Sequence, residues 1–160
     1  MDDATYDPNF KYDVALQPGA EQIKVCYACG TCTAGCPVAE VEERFSPRRI
    51  IRQILLGQRE AVLSSELLWY CETCYTCSAY CPQNVKFGDV MRALREMAVA
   101  EGYFPAHCAE RIRQVDRLAH AARLEFVRAA LTSTETPLSS ALEKALEAIA
   151  AQIKALEGAS

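Results

Sequence analysis

One pattern of cysteines occurs twice in this chain of 160 residues, and the second copy lies 45 positions after the first. Each copy has three cysteines separated by two residues, a fourth cysteine after three more residues, and then a proline. The first run is Cys26, Cys29, Cys32, Cys36 and Pro37, and the second run is Cys71, Cys74, Cys77, Cys81 and Pro82. Eight of the nine cysteines therefore belong to one repeated arrangement, which constrains the fold more than any other feature.

The spacing within each run is typical of a bacterial-type [4Fe-4S] ferredoxin. One tight loop can bring three thiolates to three corners of an iron-sulfur cube, and the fourth corner then needs a more distant ligand. Two runs predict two [4Fe-4S] clusters. In two-cluster ferredoxins the fourth cysteine of each run binds the cluster of the other run.

This rule predicts crossed ligation in the present chain. One cluster would be held by Cys26, Cys29, Cys32 and Cys81, and the other by Cys71, Cys74, Cys77 and Cys36. The alternative is local ligation, in which the fourth cysteine binds the cluster of its own run. In either case every iron corner is occupied by a thiolate. We therefore expect no open position for a substrate and no catalytic residue.

Two other uses of paired cysteines agree less well with the spacing. A structural zinc ion is tetrahedral and takes two thiolates from each Cys-x2-Cys knuckle, so the third cysteine of each run would have no role. A disulfide framework is disfavoured because the cysteine count is odd, the spacings are tight, and no secretory segment precedes the runs.

Composition restricts the location and the partners. No stretch approaches the roughly twenty uninterrupted apolar residues of a membrane span, so we expect no membrane span. Residues 1–7 are acidic and lack an apolar targeting core, which predicts a cytoplasmic protein, and a reducing compartment suits a thiolate-rich chain. The formal net charge of −4 argues against nucleic acid as a partner.

The segment between the two runs is predicted to be helical. Ser46 and Pro47 have the features of an N-cap followed by proline at the first helical position, and Gly57 is a suitable end. One face of this helix carries Ile50, Ile51, Ile54 and Leu55. A second apolar stretch over residues 61–69 also favours helix. The predicted fold class is therefore all-α, with an α-helical ferredoxin-like domain over residues 21–104.

The flanking segments are predicted to be an arm and a helical extension. Residues 1–20 contain Pro8 and Pro18-Gly19, which predicts an extended N-terminal arm lying on this protein or a neighbour. After the second run, Gly88-Asp89 is the predicted cap of a helix that closes at Gly102.

Residues 105–160 form the predicted C-terminal helical extension. It comprises a helix over 105–131, a polar break, and a last helix over about 138–157. The last helix has a narrow apolar stripe that needs a packing partner, formed by Leu142, Leu146, Ile149, Ile153 and Leu156.

Several residues outside the ligand positions have two interpretations. Cys108 is expected to be a small buried residue, and the alternative is a redox-sensitive or partner-contacting thiol. His107 and His120 are expected at or near the surface because eight thiolates already complete two clusters. The aromatic residues beside the runs are expected to be packing residues, and the alternative is shielding of the clusters from water; they are Tyr27, Trp69, Tyr75 and Tyr80.

A basic strip lies near the first run in the sequence. It consists of Arg48, Arg49, Arg52 and Arg59. A solvated helix face is the favoured interpretation, and docking to an acidic protein is the alternative.

Three stretches, residues 26–37, 46–52 and 69–77, resemble the C subunit of heterodisulfide reductase. The resemblance covers roughly residues 21–104. Members of that family resemble the α-helical ferredoxin domain of succinate dehydrogenase iron-sulfur subunits, in agreement with the helical segment between the runs. The resemblance implies electron transfer through two [4Fe-4S] clusters, between an A subunit with flavin and iron-sulfur clusters and a B subunit that reduces a disulfide.

The sequence also lacks the motifs of those two partner subunits. It has no Cys-Cys dipeptide of the kind that the B subunit uses for its noncubane clusters, and no G-x-G-x-x-G for a flavin or nicotinamide. We therefore expect a noncatalytic electron-transfer subunit of a hetero-oligomeric oxidoreductase complex. The alternatives are the equivalent subunit of a related bacterial sulfur-metabolism complex and, in a different class, an iron-sulfur regulator that senses oxidation.

Overall fold

The computed structural model describes residues 6–132 and 138–157. Over these ranges the regular structure is helical, and no strand is present. This confirms the predicted all-α fold class. The chain divides into two compact units, residues 1–106 and residues 107–160.

The first unit contains both cysteine runs. Its described α-helices are α1 (Phe10–Ala15), α2 (Thr31–Ala34), α3 (Pro37–Val41), α4 (Pro47–Leu55), α5 (Arg59–Leu63), α6 (Thr76–Ala79) and α7 (Phe87–Ala100). One turn of 3₁₀ helix precedes each run, at Glu21–Val25 and at Glu66–Trp69. The short helices α2 and α6 each begin two residues after the second cysteine of a run. The internal repeat therefore extends to the secondary structure around the cysteines.

Helix α4 begins and ends as the sequence predicts. The Ser46 hydroxyl accepts a hydrogen bond from the Arg49 N–H at 3.3 Å, and Pro47 occupies the first helical position. Three of the four predicted apolar residues are buried, namely Ile50, Ile51 and Ile54, and Leu55 is half-buried. At Gly57 the backbone has φ +79°, and a side chain there would collide with the Asp7 carbonyl. Glycine is therefore required where α4 ends.

Helix α7 is central to the core of the first unit. Val90, Met91 and Leu94 are fully buried on it, and α7 contacts α1, α5 and α6. The helix starts at Phe87, two residues before the predicted Asp89, and the prediction of Gly88-Asp89 as its cap is wrong. Phe87 is buried in the core, and this anchoring begins the helix even though no side chain caps its N-terminus. Packing thus decides the start of α7.

The N-terminal arm differs from the extended segment that was expected. Its residues 10–15 form α1, and Phe10 and Val14 are fully buried in the core of the first unit. These two residues are four apart and so share one face of the helix. A six-residue helix is marginal by itself, so its stability comes from burying this face. The described part of the arm therefore packs on its own chain.

The second unit is formed by two long helices, α8 (Cys108–Thr132) and α9 (Leu138–Glu157), which pack against each other. Both predicted helices are confirmed, although α8 begins three residues after Pro105. Of the predicted stripe on α9, Ile149 is half-buried while Leu146 and Ile153 are exposed. The side chains of Leu142 and Leu156, and the polar break over 133–137, lie outside the described residues. No described helix has the length and hydropathy required to cross a bilayer.

Candidate iron-sulfur centres

One cavity in the first unit, which we call the first cavity, combines cysteines from both runs. Three are the first cysteines of the first run, Cys26, Cys29 and Cys32, and the fourth is Cys81. The remaining wall is mostly apolar or small and is formed by Ala28, Gly30, Thr31, Arg48, Ile51, Val85 and Phe87. The structure thus brings together the four cysteines predicted for one cluster.

The second cavity has the reciprocal composition. Its cysteines are Cys71, Cys74 and Cys77 of the second run and Cys36 of the first. The rest of the wall is Val38, Phe45, Glu72, Thr73, Tyr75, Phe87 and Gly88. Phe87 lines both cavities, so its ring forms part of a common wall. The donor set of each cavity, four thiols around one space, fits a [4Fe-4S] cluster.

The four thiols of a cavity line a shared space without converging on one point. Among the described residues, no three His, Cys, Asp or Glu side chains converge closely enough to hold a single metal ion. Each thiolate of a [4Fe-4S] cluster binds a different iron, so these thiolates lie farther apart than the ligands of one zinc ion.

The backbones of the two runs have the same unusual conformation at equivalent positions. Ala28 and Thr73 have φ +59° and +50°, and Gly30 and Tyr75 have φ +88° and +59°. Left-handed backbone is strained for residues other than glycine, so the surrounding structure must hold it. Backbone N–H groups donate to two cysteine sulfurs of the first cavity, from Ala28 to Cys26 at 3.4 Å and from Val85 to Cys81 at 3.3 Å. Such donors favour an anionic cluster.

Hydroxyl groups accompany the exposed cysteines of both runs. The Thr31 hydroxyl lies 3.3 Å from the Cys29 sulfur, and the Thr76 hydroxyl lies 3.4 Å from the Cys74 sulfur. The repeat includes these contacts because both threonines follow their cysteine by two positions. Hydrogen bonds to ligand sulfurs tune the potential of a cluster.

A second pair of hydroxyls is equivalent in sequence and different in contacts. Thr33 and Ser78 each follow the third cysteine of a run. The Thr33 hydroxyl accepts the Arg48 N–H at 3.0 Å and lies 3.4 Å from the Ser46 hydroxyl. The Ser78 hydroxyl oxygen is buried and acts on the neighbouring Cys77 thiol, whose pKa it lowers against the larger effect of burial.

Burial changes the acidity of the thiols unequally. It raises the pKa of Cys71 to about 11 and also raises the pKa of Cys77 and of Cys32. At the exposed Cys29 the pKa is lowered, chiefly by the hydrogen bond with the Thr31 side chain. The buried thiols therefore hold their protons at neutral pH, and iron must displace them because thiolates are the ligands.

Arg95 on α7 holds the start of the second run and was not identified from the sequence. Its Nε donates to the Leu68 carbonyl at 2.7 Å and its Nη2 donates to the Cys71 carbonyl at 2.5 Å. Its guanidinium also lies over the Trp69 ring, 5.6 Å from the ring centre. The sequence feature that could have identified Arg95 is its position four residues after the buried Met91, at the margin of an apolar helix face.

The basic strip predicted from the sequence is not one surface. Arg48 lines the first cavity, and Arg49 and Arg52 are exposed. Arg59 instead pairs with Asp7, Asp13 and Glu101, at distances between 2.6 and 3.0 Å. Its inclusion in the strip is wrong, because the sequence gives no sign that α1 returns to this part of the molecule.

Of the remaining cysteine, the two histidines and the aromatic residues considered in the sequence, only Tyr75 lines one of the two cysteine cavities. Cys108 is half-buried at the first residue of α8, and His107 and His120 are exposed. Tyr75 lines the second cavity, and Tyr80 packs against Gly35 of the other run, where an added Cβ would lie 3.1 Å from the ring. Trp69 packs edge-on against Phe104 at 5.4 Å between ring centres.

Comparison with known proteins agrees with this donor set. A family model described as a 4Fe-4S dicluster domain matches residues 22–85. A similar protein is the iron-sulfur C 2 subunit of CoB–CoM heterodisulfide reductase from Methanocaldococcus jannaschii, with 34% identity over 142 residues, which are 86% of this chain and 75% of that protein.

Two further relatives are matched over a shorter region. The iron-sulfur C subunit of CoB–CoM heterodisulfide reductase from Methanopyrus kandleri is 42% identical over 51% of this chain and 42% of its own length. The C2 subunit of the H(2)/formate:CoB-CoM heterodisulfide,ferredoxin reductase from Methanococcus maripaludis is 41% identical over 53% of this chain and 47% of its own length. The chain thus spans less than half of these two proteins.

These matches agree with the two four-cysteine cavities and add a family and a function. The chain has a dicluster domain with two [4Fe-4S] clusters and functions in iron-sulfur electron transfer, as a subunit of an oxidoreductase complex. It belongs to the family of heterodisulfide reductase C subunits.

Proposed function

We propose that this chain is the electron-relay subunit of a heterodisulfide reductase-type complex. It passes electrons through two [4Fe-4S] clusters between an A subunit with flavin and iron-sulfur clusters and a B subunit that reduces a disulfide at noncubane clusters. The names of the relatives support the type of complex. The observation that carries the relay is the pair of adjacent four-cysteine cavities sharing Phe87.

Crossed ligation is part of the proposal. The first cluster binds Cys26, Cys29, Cys32 and Cys81, and the second binds Cys71, Cys74, Cys77 and Cys36. The composition of the two cavities supports this assignment, because each is lined by three cysteines of one run and the fourth of the other. A fourth ligand taken from the opposite run also ties the two runs together, so each cluster stabilises the loop that holds the other.

The residues around the cavities suit electron transfer without substrate chemistry. When bound, a [4Fe-4S] cluster accepts and releases single electrons. Four thiolates occupy its four irons, and this chain provides no open corner for a reactant. Apolar walls at Ile51, Val85 and Phe87 on one side, and at Val38 and Phe45 on the other, keep water away from much of each cavity. The chain itself is therefore noncatalytic in this proposal.

A reducing, cytoplasmic setting is included in the proposal. All nine cysteines are free thiols, and eight of them must remain reduced to bind iron. The partner subunits are the A and B proteins, which supply the flavin and the disulfide chemistry.

The test combines cluster analysis with the capture of partner proteins. The chain, purified without oxygen, should contain about eight irons, and its reduced form should give the EPR signal of two interacting [4Fe-4S] clusters. Tagged chain expressed with its neighbouring genes should retain a flavoprotein and a protein with noncubane clusters. Zinc in place of iron would contradict the clusters, and a chain that purifies alone would contradict the complex.

A further inference from the structure

The two cavities approach the protein surface at equivalent points. Of the eight cysteines in the runs, Cys29 and Cys74 are exposed and the others are buried or half-buried. These two are the second cysteines of their runs. An electron entering or leaving a bound cluster therefore has its shortest route through the surface around Cys29 or around Cys74.

The surfaces around these two cysteines carry opposite charges. Among the described residues that line the first cavity, Arg48 is the one with a charged side chain, and in the second cavity that residue is Glu72. Arg48 lies over Gly30, because an added Cβ there would be 3.6 Å from the Arg48 Cδ. Glu72 lies within the second run, at the position that Tyr27 occupies in the first. The contrast therefore results from two specific side chains.

Salt bridges do not neutralise these charges in the part of the chain that the structure describes. Arg48 and Arg52 are exposed and lie four residues apart on α4, so they share a helix face, which we call the basic edge. No salt bridge among the described residues involves Arg48, Arg52 or Glu72, whereas Arg44, Arg59 and Arg92 are all paired.

The surface around Cys74 is acidic, and we call it the acidic edge. Glu72 is exposed there, and two charged side chains of the neighbouring helix α7 are engaged in other contacts. Asp89 accepts a hydrogen bond from the Tyr75 hydroxyl and pairs with Arg92 at 3.1 Å. Arg95 is directed at the carbonyls of Leu68 and Cys71.

We propose that the two cluster edges dock redox partners of opposite charge: an acidic protein surface at the basic edge beside Cys29, and a basic protein surface at the acidic edge beside Cys74. The inference rests on the proposed relay function and adds which partner chemistry meets which cluster. Charge complementarity orients encounters and suppresses wrong pairings. In a chain of net charge −4, the basic edge is a local exception that directs an acidic partner to one place. Two partners thus reach different clusters, and electrons must pass through both.

The experiment uses the full chain with both clusters, reduced without oxygen and mixed rapidly with an oxidised protein probe. The acidic probe is a flavodoxin and the basic probe is a c-type cytochrome, each followed by its own absorbance at low salt. The test variants are Arg52→Glu and Glu72→Lys. Their matched controls, Arg123→Glu on α8 and Glu60→Lys on α5, make the same charge changes at exposed positions that line neither cavity.

The expected result is reciprocal. Arg52→Glu slows electron transfer to the acidic probe about tenfold and does not slow transfer to the basic probe, whereas Glu72→Lys slows transfer to the basic probe alone. The controls change either rate less than about twofold, and added salt removes the differences. If Glu72→Lys lowers the iron content, Glu72→Gln replaces it, with the same direction and a smaller effect.

Two results would overturn the inference. Variants that alter the rates no more than their controls would show that only net charge matters, and one variant that slows both probes would show a single docking edge. Cluster content is measured separately by iron analysis and EPR. A native chain without two [4Fe-4S] signals would remove the proposed function itself, whereas intact clusters with unresponsive rates would remove only the docking inference.

Discussion

The first and second cysteine runs share their ligand spacing and differ in the residues between the ligands. Both runs have left-handed backbone at the same two positions, and both place a threonine hydroxyl beside the exposed cysteine. The intervening residues diverge, with Tyr27, Gly30, Thr33 and Gly35 in the first run replaced by Glu72, Tyr75, Ser78 and Tyr80 in the second. Ligand geometry is therefore repeated, while charge, burial and hydrogen bonding are set separately for each cavity.

Gly30 and Tyr75 show how one backbone shape is obtained in two ways. Glycine adopts positive φ without a steric penalty, whereas tyrosine does not. Tyr75 is held there because its ring packs against Gly88, where an added Cβ would lie 3.1 Å away, and because its hydroxyl donates to Asp89 at 3.0 Å. The left-handed backbone is therefore allowed by the conformational freedom of glycine in the first run and is held by tertiary contacts of tyrosine in the second.

The largest effect is expected from exchanging a fourth ligand. Cys36→Ser should damage the cluster held by the second run and spare the cluster of the first, because Cys36 lines the second cavity. Iron analysis and EPR of the reduced variant measure this: the first cluster should be retained, and the second should be lost or converted to a three-iron form. Cys108→Ser is the control and should leave both clusters intact. Damage limited to the first run's cluster would instead indicate local ligation.

Cluster assembly should depend on pH more steeply in the second cavity than in the first. The raised pKa values of Cys71 and Cys77 keep these thiols protonated at neutral pH, whereas the first cavity combines the raised pKa of Cys32 with the lowered pKa of Cys29. Protons compete with iron for the sulfur, so raising the pH toward the pKa of about 11 at Cys71 removes the competitor.

Reconstitution between about pH 7 and 9 would measure this dependence, with one cavity disabled at a time by Cys71→Ala or Cys26→Ala. The cluster content of the second cavity should increase severalfold over this range of about two pH units. Each pH unit changes the thiolate fraction of a protonated thiol about tenfold. Equal pH profiles for the two cavities would contradict the assignment of unequal burial.

Arg95 should stabilise the second run and have no counterpart in the first. Arg95→Met removes the donors to the Leu68 and Cys71 carbonyls and keeps much of the side-chain volume. We expect a loss of about 2 kcal/mol in the free energy of unfolding, the usual contribution of hydrogen bonds from a charged group. Chemical denaturation of the reduced apo-protein measures it. Arg92→Met, which removes a more exposed ion pair, should cost less than about 1 kcal/mol, and equal costs would refute the role of Arg95.

The smallest effect concerns the buried hydroxyl of Ser78. Ser78→Ala should shift the midpoint potential of the second-run cluster to more negative values, because the Ser78 hydroxyl acts on the Cys77 sulfur and a hydrogen bond to sulfur favours the reduced form of a cluster. Potentiometric titration followed by EPR resolves the two clusters. Ser64→Ala removes an exposed hydroxyl that bonds only to its own helix and serves as the control. An unchanged potential in Ser78→Ala would assign that hydroxyl to packing alone.

Local signals account for what the sequence predicted well. The cysteine spacing, the Ser46-Pro47 start of α4 and the limits of α9 all depend on neighbouring residues in the chain. Long-range contacts account for what was missed. Arg59 pairs with Asp7 from 52 positions away, and α1 is stable because the core accepts Phe10 and Val14. Contacts between residues so far apart in the chain cannot be identified from the local sequence around either residue. The burial of the arm and the hydrogen bonds of Arg95 are therefore seen only in the folded chain.

The surroundings of both cluster cavities depend on one residue, Phe87. Since one ring borders both sulfur-lined spaces, a substitution that enlarges or tilts it would disturb both redox centres together. Mutations meant to adjust a single centre should therefore avoid this residue. Conversely, a movement of the ring on reduction of one centre would change the packing around the other, so a single side chain connects the surroundings of both centres.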